Sequence, residues 1–277
     1  MSKIEWTNKT WNPIVGCEKI SEGCKNCYAE KFAKRLVNNP NPKIANKYMS
    51  VIAPNGWTGY THLEESELEN PSHWKKTAMI FVCSMGDLFH ESVPFEWIEK
   101  VFNVIATNPQ HIYQVLTKRP EIALEYFKYF GNEIKKAGFD SIPSQSSNPF
   151  DYYDPLPNVW IGTTIENQSH IKRIEDLLNI PTQVKFLSAE PLLSDIKLST
   201  PYYNFLTGIK DVSSHGINKS IQDKKIDWVI TGPETGPGAR PCKKEWIESL
   251  YQQCKVAGVP FFDKKNILGL NIKEFPK

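Results

Sequence analysis

Cys17, Cys24 and Cys27 stand within eleven residues in a C-x6-C-x2-C arrangement. Three thiolates on one short loop can hold a metal while leaving one coordination position to be filled from elsewhere. A structural zinc ribbon closes its shell with four protein ligands, usually supplied as two short pairs. A [4Fe–4S] cluster held by three thiolates instead keeps one iron open to an exogenous ligand. The spacing therefore points to an iron–sulfur cluster that does chemistry, with a zinc knuckle as the alternative. No histidine precedes His62, so zinc would draw its fourth ligand from far along the chain, and Cys83 is the best placed. Otherwise Cys83, Cys242 and Cys254 read as buried thiols.

Such a loop needs a scaffold, and the pattern of apolar residues supplies one. Short β-rich runs at 79–83, 111–116, 159–163, 184–188, 228–232 and 259–263 read as buried strands, and a first strand fits 11–15. Helical periodicity follows at 28–37, 94–107, 120–137, 168–179 and 243–257, the last ended by Gly258. The alternation predicts an α/β fold, a partial (β/α)6 barrel with an extra C-terminal strand. One domain spans 1–277, with insertions rich in Pro, Asn, Ser and Gly at about 38–77, 138–157 and 199–226.

In parallel β/α folds chemistry gathers at the carboxyl ends of the strands. Polar residues end or follow these predicted strands: Ser84 and Asp87, Lys118 and Arg119, Thr163, Thr164 and Glu166, Glu190, and Glu234. The bland reading of each carboxylate is a salt bridge or a helix cap. For Lys118 and Arg119 it is a solvent-facing pair before Pro120. Arg240, Lys264 and the segment from Gly236 to Gly238 are weaker candidates, and His90 reads as a hydrogen-bonded loop residue. Trp11, Trp160, Trp228 and Trp246 fall in core positions. Only Trp57 and Trp74, in the first insertion, invite a base-stacking role.

Totals narrow the classes. With 33 basic and 31 acidic residues, no whole-molecule field advertises a nucleic-acid or membrane partner, although local patches remain open. No apolar leader follows Met1 and no run approaches the roughly 18 residues of a spanning helix, so the expectation is a cytoplasmic protein without membrane contact. Six cysteines, three of them clustered, suit a metal site in a reducing compartment better than a disulfide framework.

Several segments carry a family likeness: Trp11-Asn12-Pro13, Gly16-Cys17, Gly23-Cys24 with Cys27-Tyr28-Ala29, and Ser84 through Phe89. Leu116 through Arg119, Ala189 through Leu192, Gly236 with Ala239-Arg240-Pro241, and Pro260-Phe261-Phe262 continue it. The chain resembles the three-Cys-motif, phage-type family of unknown function from phages and bacteria, which looks like a divergent radical S-adenosylmethionine (SAM) branch. The common radical SAM loop is C-x3-C-x2-C with an aromatic before the third cysteine; here Asn26 holds that place and Tyr28 can substitute. The usual glycine-rich segment after the second strand is replaced by Ser84 to Asp87.

The resemblance implies a TIM-barrel-like radical SAM fold, a [4Fe–4S] cluster on Cys17, Cys24 and Cys27, and bound SAM cleaved to a 5′-deoxyadenosyl radical. Tyr28, Ser84, Asp87, Lys118, Arg119, Thr163, Glu166, Glu190 and Glu234 become the candidate cofactor-binding residues, with none singled out as catalytic. Its phage distribution suggests nucleic acid or nucleotide modification or repair. It also implies a methyltransferase-like partner protein and an electron donor such as flavodoxin or ferredoxin. The rival readings are a non-catalytic zinc or iron–sulfur protein that binds nucleic acid, and a metal-dependent nuclease or hydrolase on the same scaffold.

Overall fold

A computed structural model describes residues 4–136, 156–209 and 223–277. The chain opens with β1 (Lys9–Trp11) and β2 (Ile14–Val15), two strands where one over 11–15 is expected from sequence. Pro13 has no amide hydrogen to continue a ladder, so the chain leaves the main sheet after Trp11. There follow α1 (Tyr28–Leu36), α2 (Pro42–Met49), β3 (Ile52–Ala53), β4 (Gly56–Trp57) and β5 (His62–Leu63). β2 pairs antiparallel with β5, and β3 with β4. The segment 38–77, expected to be irregular, thus contains a helix and three short strands. Asn41 caps α2 by accepting from the Lys43 amide, with Pro42 in the first turn.

The rest alternates: β6 (Met79–Val82), α3 (Phe95–Thr107), β7 (Ile112–Thr117), α4 (Pro120–Lys136), β8 (Val159–Thr164) and α5 (Arg173–Asn179). β9 (Val184–Ala189), β10 (Trp228–Thr231), α6 (Lys244–Ala257) and β11 (Phe261–Asp263) complete it. Seven strands pair in parallel in the order β1-β6-β7-β8-β9-β10-β11, a sheet curled into a half-barrel. Every second side chain faces the same way. Phe81, Trp160, Phe186, Trp228, Ile230 and Phe262 therefore share the inner layer, joined by Trp6, whose ring centroid is 4.7 Å from that of Phe81. Ile80, Val82, Ile161, Leu187, Val229 and Phe261 face the larger layer under the helices.

Two helix expectations change. Over 168–179 a short 3-10 turn at Gln168–His170 precedes α5, because Asn167 turns back to accept from the Ser169 amide. After β9 no helix is present among the described residues, so five strand–helix units stand where six were expected. Leu192, Ile196, Leu198, Tyr203, Phe205 and Leu206 of an irregular segment bury themselves in the helix's place. Most of the insertion expected at 138–157 and part of that at 199–226 lie outside the described residues. Among the described residues no helix is long and apolar enough to cross a membrane.

A thiol-lined cavity at the carboxyl ends of the strands

The cysteine loop follows β2, closes through a 3-10 turn at Glu22–Cys24, and enters α1 with Cys27 at the N-cap. Two carboxylates from distant strands hold it down. Glu166, fully buried after β8, accepts from the Ser21 hydroxyl and the Lys118 ammonium through one oxygen and from Arg173 Nη1 at 2.9 Å through the other. Lys118 Nζ also lies 3.0 Å from Ser21 Oγ and 3.3 Å from Cys24 Sγ. Burial alone would raise the Glu166 carboxyl, but Lys118, Ser21 and Arg173 hold it below the usual range. Gly23 permits the approach, since a Cβ there would lie 2.5 Å from Glu166 Cγ and Oε1.

Across the loop, Glu234 accepts from Asn26 Nδ2 at 2.9 Å and from the Arg240 guanidinium at 2.5 and 2.9 Å. Arg240 Nη1 donates to the Glu22 carbonyl at 2.9 Å. These charge-assisted bonds from Arg240, with help from Asn26, lower the Glu234 carboxyl to about 2. At the base of the loop, Gly16 has φ 102°, and a Cβ there would lie 2.3 Å from the Tyr60 carbonyl oxygen. Only glycine fits.

Beneath the loop is a cavity of about 230 Å³. The loop contributes Cys17, Cys24, Cys27 and Tyr28 to its wall, and Trp6, Phe81 and Leu116 close its apolar side. The Tyr28 hydroxyl donates to the Ser84 carbonyl at 2.7 Å. Asn12 Oδ1 accepts from the Ser84 hydroxyl and the Met85 amide, each at 3.0 Å, tying the β1 end to the β6 end. Asp87 is spent within the protein: it takes Thr117 Oγ1 at 2.7 Å, the Phe89 amide at 3.1 Å, and the Lys118 amide and Arg119 Nη1 at 3.3 Å.

Arg119 is buried, with its Nε 2.6 Å from a Glu91 carboxylate oxygen as an ion pair, and neither Nε nor Nη2 has a partner of hydrogen-bond geometry among the described residues. Glu190 and Lys264 pair across the β9 and β11 ends. Groups of the cavity wall not used to hold the loop are therefore the Glu190–Lys264 pair and the thiols. Burial, with Asp87 adding to it, pushes the Cys17 thiol up to about 12. Burial acts the same way on Cys24, but Lys118 and Ser21 outweigh it and hold that thiol below its ordinary value. Cys83, also against the cavity, is pushed up to about 12 by burial.

Among the described residues no three His, Cys, Asp or Glu side chains are gathered as a single metal ion requires. A cubane cluster binds each thiolate on a different iron, so its ligands ring a cavity instead of meeting at one point. Three thiols around one cavity, with Lys118 and Arg119 to offset the negative charge of a thiolate-bound cluster, fit that group.

A family model described as a protein of unknown function, DUF5131, matches residues 1–268. The chain belongs to this family. No curated protein and no solved structure matches it.

In this DUF5131 member ten of the twelve residues singled out from sequence line the cavity. The loop supplies Cys17, Cys24, Cys27 and Tyr28; the strand ends supply Ser84, Asp87, Lys118, Arg119, Glu190 and Glu234. Thr163 does not: its hydroxyl donates to the Thr117 carbonyl at 2.9 Å, while its neighbour Thr164, on the alternate face, lines the cavity. Glu166 stands behind Lys118, where it fixes the loop. Trp57 packs against the small core under α1, and Trp74 packs on His111 beneath the Lys9 ammonium, so neither reaches the cavity. His90 binds Ser92, as a loop histidine does. Asn12, Ser21, Gly23, Asn26 and Arg173 are not legible as site residues from the sequence, because their partners, that of Arg173 apart, lie far along the chain.

Proposed function

We propose that the chain is an iron–sulfur enzyme of the radical SAM type, with a [4Fe–4S] cluster on Cys17, Cys24 and Cys27 and SAM in the adjoining cavity. The observation that supports this best is the meeting of three thiols from one loop with Lys118 and Arg119 around a cavity at the carboxyl ends of a parallel half-barrel. When bound, such a cluster supplies one electron to the SAM sulfonium, releasing methionine and a carbon radical that takes a hydrogen atom from the substrate.

The chain's own residues bind, orient and exclude water. Arg119, in the cavity wall, would face a carboxylate with its positive charge. Glu190 would accept from an amino group or ribose hydroxyl, with Lys264 restraining it. Lys118 keeps a positive charge beside Cys24. Trp6 and Phe81 keep the floor dry, which strengthens every polar contact above it. An electron donor such as flavodoxin or ferredoxin, a methyltransferase-like partner, a cytoplasmic location and a nucleic acid or nucleotide substrate complete the reading.

The test is to incubate anaerobic, dithionite-reduced protein with SAM and separate the products. Methionine and 5′-deoxyadenosine are expected from the wild-type chain and neither from Cys24→Ala. Their absence with an intact reduced cluster would favour a non-catalytic cluster protein. Divalent-metal-dependent phosphodiester cleavage would favour the hydrolase.

A further inference from the structure

Helix α1 leaves the cavity with an unusual outer face. Tyr28, Lys31, Phe32 and Arg35 are spaced i, i+3, i+4 and i+7, so they form one stripe. Tyr28 lines the cavity; Phe32 is 41% exposed one turn further on. Lys31 Nζ reaches the Pro237 carbonyl at 3.4 Å, at the rim formed by the loop after β10. The Arg35 guanidinium lies over the Phe32 ring, 5.1 Å from its centroid, a cation–π contact that keeps the two side chains together. The helix's one acidic residue, Glu30, turns the other way, buried and paired with Lys19 at 2.8 Å and Lys34 at 3.5 Å. The stripe is thus purely basic and aromatic and starts at the mouth of the cavity.

We infer that this stripe is the track for a single-stranded nucleic acid, one unit of which is brought to the mouth of the cavity. A strand repeats an anion and a planar ring, which is what Lys31, Arg35 and Phe32 are suited to meet through phosphate pairing and base stacking. A base reached at the cavity mouth must be out of its duplex, so an unpaired strand is the form that fits. The small net charge of the chain is no obstacle, because Lys31 and Arg35 share a face from which the helix's one acidic residue, Glu30, is turned away. The placement of the reacting unit rests on the cavity being the reaction site, whereas the binding of the strand does not.

Fluorescence anisotropy of fluorescein-labelled 15-nucleotide single strands, DNA and RNA, with the full chain tests it. In 50 mM salt, K31E/R35E weakens binding about thirty-fold and Phe32→Ala about ten-fold. The slope of log affinity against log salt falls by about 1.4 in K31E/R35E, for two lost phosphate contacts. Lys255→Glu, on the exposed face of α6, leaves affinity unchanged. No binding by the wild-type chain, equal binding by all variants, or loss of a wild-type oligomer in Phe32→Ala would overturn the inference. SAM cleavage without nucleic acid, measured on the same samples, is unaffected by these substitutions. Its absence in the wild-type chain with stripe-dependent binding intact would sink the radical reading alone.

Discussion

Gly23→Ala puts a methyl group where the loop and β8 already touch. Its Cβ would stand 2.5 Å from Glu166 Cγ and Oε1, whereas ordinary contact begins at 3.4 Å, so one side must retreat by about 0.9 Å. Glu166 cannot swing away cheaply, because it is fully buried and held by Ser21, Lys118 and Arg173. Losing or stretching one charge-assisted bond costs about 1.5–3 kcal/mol, and a second is strained with it. Alanine in place of glycine returns about 0.5–1 kcal/mol, since Gly23 sits in a 3-10 turn without positive φ. The net loss is about 2–3 kcal/mol, or roughly 5–10 °C in Tm for a chain of this size. Thermal and urea unfolding of metal-free protein measure it. Pairing the change with Glu166→Asp, which draws the carboxyl back, should recover about 1 kcal/mol through coupling. A Gly23→Ala protein as stable as the wild type, or strictly additive effects in the double variant, would refute the stapling of the loop by Glu166.

The Glu234–Arg240 clamp should respond to acid in a defined direction. Its carboxyl is lowered from the ordinary 4.5 to about 2, so its contribution is complete above 4.5 and is lost as pH falls toward 2. Discounted for solvent around Arg240, Glu234→Gln costs about 1–2 kcal/mol at pH 7, and the gap between the urea midpoints of the two proteins should narrow steadily as pH falls from about 5 toward 2. A gap that stays constant over that range contradicts the clamp. Trp228→Ala should cost about 3–5 kcal/mol in urea unfolding, because the ring is fully buried against Trp6, Trp160, Phe186, Phe262 and Phe275. A loss below about 1 kcal/mol would mean the inner aromatic layer is not packed as described.

Strands β6 to β11 were legible because each is a short β-rich run whose alternate residues enter two different apolar layers, as Phe81 and Val82 do. Position at a strand's carboxyl end then located Asp87, Lys118 and Glu234 without any long-range information. Composition hid α2, since Asn and Pro mark loops on average, yet Asn41 and Pro42 are here a helix start. Pro13 was the overlooked signal in the first strand. The staples were not readable at all: Ser21 meets Glu166 across 145 positions and Asn26 meets Glu234 across 208, and no local pattern announces such pairs. Sequence alone does not separate Thr163 from Thr164, because the face a strand residue takes depends on register, and Thr164 is the one that faces the site.

The central claim is that Cys17, Cys24 and Cys27 hold an iron–sulfur cluster. Iron, acid-labile sulfide and zinc should be measured in protein purified without oxygen from iron-replete cells. About four irons and four sulfides per chain are expected, lost on replacing any one of the three cysteines with Ala and retained in Cys83→Ala and Cys254→Ala. Stoichiometric zinc without sulfide, or iron and sulfide that persist in the Cys24→Ala protein, would contradict the account.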